Sequence, residues 1–132
     1  MAETLRCLQL SILPGEFTVV RLASDAPIPD WAAQGFFFSI TRTVDELSIV
    51  AEESRVPSGL ESQSGWRMLK VRGPLPLSEV GVMASLASPL ARARISLFVV
   101  STFDTDYLLV ASESLAVAVS VLEQSGHTIH RS

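Results

Sequence analysis

The hydrophobic pattern between Trp66 and Arg131 switches between a period of two and a helical period, and the order of those switches admits few folds. Trp66 to Arg72 alternates Trp66, Met68, Lys70 against Arg67, Leu69, Val71, which is a strand. Ser78 is placed to cap a helix carrying Val82, Leu86, Leu90 and Ala93 on one face. Pro89 falls inside that stripe and predicts a kink with a new turn starting there. Ile95 to Ser101 reads as a buried strand, and Asp106 to Val110 as its hairpin partner. Leu115, Ala118, Val119 and Leu122 mark a second helix over 114–124, stopped by Gly126, and His127 to Arg131 supplies a last strand. The order is βαββαβ. It predicts an α+β, ferredoxin-like sandwich, two helices on one face of an antiparallel sheet.

The first half is strand-rich. Leu5 to Leu13 alternates, Pro14-Gly15 turns the chain, and Phe17 to Leu22 reads as a second strand. Asp30 is placed to cap a short turn over Trp31, Ala32 and Ala33 that ends at Gly35. Phe36 to Arg42 and Glu46 to Glu52 form a hairpin around Thr43-Val44-Asp45. Ser54 to Gly65 is linker-like and suggests two domains, 1–60 and 61–132. The halves echo each other: Ile40 to Val50 aligns without gaps on Val100 to Val110, each a strand, an acidic turn and a strand. Two related sub-domains explain that spacing, the N-terminal one degenerate, with a short turn where the second has a long helix. Chance likeness of two apolar hairpins is the alternative.

Hydrophobic residues make up 48% of the 132 and charged residues 18%, so the chain can bury a core. A net charge of −4 gives no reason to seek nucleic acid or anionic lipid. The N-terminus lacks the apolar stretch of a signal peptide, and the most apolar run, Ile95 to Val100, is too short to cross a bilayer, so a cytoplasmic protein is expected. Cys7 is the only cysteine, and its alternating surroundings predict a small buried hydrophobe. His127 and His130 point to opposite faces of a strand and make a poor metal pair. Asp45-Glu46 and Glu52-Glu53 read as a solvated rim. No nucleophile elbow, P-loop, Cys-x-x-Cys or dinucleotide fingerprint occurs, so neither an enzyme, a metal nor a cofactor is expected.

Several stretches together carry a resemblance. They are Gly65 to Val71, Gly73-Pro74-Leu75, Gly81 to Leu86, Pro89-Leu90-Ala91, Ile95 to Phe98 and Ser101 to Tyr107, with Phe37 to Thr43 and Glu46 to Val50 in the first half. They resemble two-copy ACT proteins, similar to the regulatory domains of aspartate kinase and to the cytosolic arginine sensors of animals. The resemblance implies an ACT pair, a regulatory sensor that binds a free amino acid at a domain or dimer interface. By position it places the ligand against Leu77, Ser78, Glu79, Val80, Gly81, Val82 and Met83, where helix N–H groups meet a carboxylate. Gly81 either admits the ligand to the backbone or serves tight helix packing. Glu79 either favours the helix start or meets a basic ligand. Asp106 would hold the ammonium group. Asp104 is a second candidate, whose other role is to shape the turn. Ser96 and Leu97 lie on the strand the resemblance sets across the interface. A homodimer and a protein partner are implied. The alternative is an interaction or structural subunit that associates through its ACT sheets and binds no ligand.

Overall fold

The computed structural model describes residues 7–75 and 80–131. Its elements run β1 (Gln9–Ile12), β2 (Phe17–Leu22), a 3-10 turn (Asp30–Ala33), β3 (Phe38–Arg42), β4 (Leu47–Glu52) and a second 3-10 turn (Glu53–Arg55). Then follow β5 (Ser62–Val71), α1 (Val82–Arg92), β6 (Phe98–Ser101), β7 (Asp106–Ala111), a third 3-10 turn (Ser112–Ser114), α2 (Leu115–Gln124) and β8 (Thr128–His130). From β5 onward this is the βαββαβ order that the hydrophobic periods predict. The end of the linker-like stretch, from Ser62, is strand.

By contact the chain forms two compact units. One is Gly15–Trp66; the other joins the chain up to Pro14 to the chain from Arg67 onward. The reason lies in β1. It pairs antiparallel with β5, Leu10 against Val71, and parallel with β8, Leu10 against Ile129. The sheet of this unit therefore runs β6-β7-β5-β1-β8, five strands with one parallel pair, not four antiparallel ones.

One face of that sheet presents Leu10, Leu69, Val71, Leu108, Val110 and Ile129 to Val82, Leu86 and Leu90 of α1 and Ala118, Val119 and Leu122 of α2. Each of these larger side chains, fully buried, stabilises by roughly 1.5–3 kcal/mol. Helix α1 begins later than the sequence predicts: Gly81 is its N-cap, at φ +85°, and Val82 its first residue. It also runs through Pro89 without ending there. Proline lacks the N–H that would serve the carbonyl four residues back, at Ser85. His127 supplies it, with Nε2 donating to Ser85 O at 3.0 Å, while the Leu8 N–H donates to Nδ1 at 3.1 Å. His127 is 4% exposed and precedes β8; its role is to complete a helix and a strand end. Cys7 is exposed, contrary to the buried hydrophobe expected, because it lies before the paired residues of β1.

The unit Gly15–Trp66 orders its strands β3-β4-β2-β5, using the first part of β5. Along the chain it is β2, turn, β3, β4, turn, β5, the same path with each helix shortened to a 3-10 turn. Val20, Leu47, Ile49 and Ala51 pack with Ala32 of the first turn, and Trp31, Val56 and Leu60 close over them. Asp30 does not cap that turn; Pro29 holds the cap position, with no side-chain cap bond. Glu52 and Glu53 are more than a solvated rim. Glu52 accepts the Phe36 N–H at 2.8 Å, and Glu53 accepts the Gly65 N–H at 2.9 Å.

The echo between halves is present at a register one residue from the sequence alignment. Thr43-Val44-Asp45-Glu46 and Thr102-Phe103-Asp104-Thr105 are the equivalent turns, each closed by its first N–H donating to its last carbonyl, at 2.9 and 2.8 Å. At that same spacing β4 falls on β7, and the turn Glu53–Arg55 on Ser112–Ser114. The gapless alignment matched apolar residues, whereas the threonine that closes the turn sets the true register.

Candidate functional site

After Val71 the chain leaves β5 through Arg72-Gly73-Pro74-Leu75 and meets the β6–β7 turn. The Leu75 N–H donates to the Asp104 carbonyl at 2.6 Å. The buried Thr105 hydroxyl donates to the Val71 carbonyl, also at 2.6 Å. A Cβ at Gly73 would lie 2.9 Å from the Asp104 oxygen and 3.1 Å from Thr105 Cβ, so glycine is what allows the approach. The loop leading to α1 is thereby tied to the hairpin turn that carries both acidic candidates. Thr102 stiffens that turn, its Oγ1 accepting the Thr105 N–H at 3.3 Å. Neither Gly73 nor Thr105 was singled out as a site residue from sequence, although Gly73-Pro74-Leu75 was among the resembling stretches.

Asp106 opens β7 opposite Ser101 and is partly exposed. Alternation sets it on the face of β7 that carries Leu108 and Val110, the face the helices cover. Asp104 is exposed, and it is its backbone carbonyl that grips the loop. Val80 is 83% exposed and Gly81 is exposed beside it. A Cβ at Gly81 would meet nothing within 4 Å, so its positive φ, not tight packing, is what calls for glycine.

Val82 is 6% exposed and belongs to the core, because the helix begins there and its first apolar position turns inward. Ser96 and Leu97 precede β6 instead of lying on it, and Leu97 packs against the core. Met83 is half-buried on the first turn of α1. Leu77, Ser78 and Glu79 lie outside the described residues.

Gly73 also borders a polar cavity of about 380 Å3, lined by Ser11, Lys70, Arg72 and His130. Lys70 alternates with Leu69 and Val71, so this cavity opens on the sheet face away from the helices. Gln9 Oε1 accepts both Arg72 Nη1 at 2.8 Å and His130 Nε2 at 2.9 Å. Lys70 Nζ lies 5.9 Å from the Tyr107 ring centre. Among the described residues no cluster of His, Cys, Asp or Glu is arranged to hold a metal. No helix among them is long and apolar enough to cross a membrane.

Comparison with known proteins adds the following. A family model for the ACT domain matches residues 61–124, and a model for an N-terminal domain matches residues 15–59. The human "Cytosolic arginine sensor for mTORC1 subunit 1" is 36% identical over 110 residues, which is 77% of this chain and 32% of the sensor. The chain thus spans about a third of the length of the curated relatives it matches. A crystal structure of an Agobacterium tumefaciens protein superposes with a TM-score of 0.91 at 42% identity, covering 96% of this chain and 95% of that one. The ligand-free regulatory subunit of aspartate kinase from Thermus thermophilus superposes with a TM-score of 0.60 at 9% identity, over 88% of this chain and 96% of that one. The last likeness is one of fold.

Proposed function

Since residues 61–124 match the ACT domain family, we propose that the chain is a cytoplasmic regulatory protein that binds a free amino acid and catalyses no reaction. The carboxylate meets the backbone leading into α1 around Val80 and Gly81, and the Asp106 carboxylate holds the ammonium group. The observation that carries the reading is the bond from the Leu75 N–H to the Asp104 carbonyl, which ties the loop before α1 to the turn that ends at Asp106. Similarity to a protein named as an arginine sensor supports an amino acid as the ligand class. The ligand groove is completed by a second copy in a homodimer, and a protein partner reads the bound state.

A thermal-shift screen against the twenty amino acids tests this. A ligand specific for the folded chain adds about 2.7 kcal/mol at a hundredfold excess over its dissociation constant. Asp106→Ala is expected to weaken the hit by roughly 1.5–3 kcal/mol, the scale of a charged hydrogen bond. A screen without hits, or a hit that Asp106→Ala leaves unchanged, removes this site.

A second reading is a subunit that associates through this end of the fold without a ligand. It is favoured by the exposure of Val80 at 83% and Phe103 at 80%, one before α1 and one at the tip of the β6–β7 turn. Under it Val80→Ser with Phe103→Ser dissociates the dimer in sedimentation analysis, and the amino-acid screen stays flat.

A further inference from the structure

Along β5 the face beneath the helices carries Leu69 and Val71, both buried in the core, and period two adds Arg67 to the same face. Arg67 Nε is buried and, among the described residues, has no hydrogen-bond partner. A permanent cation set into an apolar contact is costly unless an anion meets it.

Arg67 lines a cavity of about 430 Å3 together with Ile12 of β1, Leu115, Ala116 and Val119 of α2, and Arg131 beyond β8. That volume is in the range of small-molecule sites. The two arginines differ. Arg131 is neutralised by Glu123, whose two carboxylate oxygens each accept one of its nitrogens at 3.2 Å. Among the described residues Arg67 has no such counterpart, and no carboxylate stands among those lining the cavity. The rest of the wall is apolar.

We infer that this cavity is a second ligand site, distinct from the loop at Leu75 and Asp104, for a small monocarboxylate with an apolar tail. The carboxylate lies against the terminal nitrogens of the Arg67 guanidinium, the two-pronged geometry that arginine favours. The tail rests on Ile12, Leu115 and Val119. A free α-amino acid fits poorly, because no lining side chain carries a carboxylate for its ammonium group and the Arg67 guanidinium repels it. The ligand class is thus a 2-oxo acid or short branched fatty acid, not the amino acid proposed for the other site, and the inference does not depend on that proposal.

The test is calorimetric titration of the full chain with 4-methylpentanoate, the neutral 4-methylpentanamide and leucine. The carboxylate is expected to bind saturably, with the amide and leucine each at least about tenfold weaker. Arg67→Met lowers carboxylate affinity at least about tenfold, and Asp106→Ala leaves it unchanged. Because Arg67→Met alters a buried position, Ala116→Trp is the second variant; it sits on an exposed lining residue and blocks the cavity, so it also abolishes binding. No saturable binding of 4-methylpentanoate by the unmodified chain overturns the inference. So does undiminished affinity in folded Arg67→Met or Ala116→Trp, or leucine binding as tightly as the carboxylate.

Discussion

The Ser85 carbonyl is deprived of a helical donor by Pro89 and receives one from His127, forty-two positions away. The same ring takes the Leu8 N–H, so the two bonds fix the tautomer with its proton on Nε2. His127→Phe keeps a ring in place but orphans both backbone groups. It is expected to cost about 2–6 kcal/mol in urea unfolding, at about 1–3 kcal/mol for each buried unmet group. Adding Pro89→Ala to that variant returns an N–H to the Ser85 carbonyl, so the double variant should recover about 1 kcal/mol or more. If Pro89→Ala recovers nothing, the account of His127 as the missing donor fails. Gly73 is constrained by contact instead: Gly73→Ala forces its Cβ against the Asp104 oxygen and should destabilise by about 1–3 kcal/mol, measured the same way.

Among the elements, α1 shows best what the sequence reveals and what it hides. Val82, Leu86 and Leu90 announce the helix and its buried face correctly, since a helical period survives whatever surrounds it. Its start does not show. Ser78 is a good cap by residue type, yet the cap is Gly81, chosen by a backbone angle that the sequence leaves unspecified. Gly81→Ala is accordingly expected to cost about 1 kcal/mol through strain alone, with nothing displaced, and Gly81→Asn less. Passage through Pro89 was equally hidden, because it depends on a histidine outside the helix. Strands β2 and β4 were legible almost residue for residue, being bounded by turn chemistry at Pro14-Gly15 and Thr43-Val44-Asp45. In the candidate site the acidic turn was legible as a motif. That Asp104 acts through its carbonyl was not, for every residue type carries one.

On the scale of the whole molecule, β5 serves both units: its first residues pair with β2, and its later ones with β1. Trp31 and Trp66 are the two tryptophans and both belong to Gly15–Trp66, whereas both α-helices belong to the other unit. Fluorescence and far-ultraviolet dichroism therefore report on different units. Removing the chain through Ile12 deletes β1 and with it the strand to which β8 is paired. The helical signal is expected to melt at lower urea than in the intact chain, with the tryptophan signal shifting less. Equal shifts in both signals would mean that the units unfold as one.

The pairing of β1 with β8 also bears on biosynthesis. Leu8 and His127, joined by a hydrogen bond, are 119 positions apart. Closure over such a separation is slow, and here it must wait for the distal partner to exist. While a ribosome is still making α2, the edge of β1 that β8 will cover stays open, an invitation to pair with another nascent chain. Only once Thr128 to His130 have left the exit tunnel can that edge close, so translation arrested just short of them should yield chains that aggregate or are degraded.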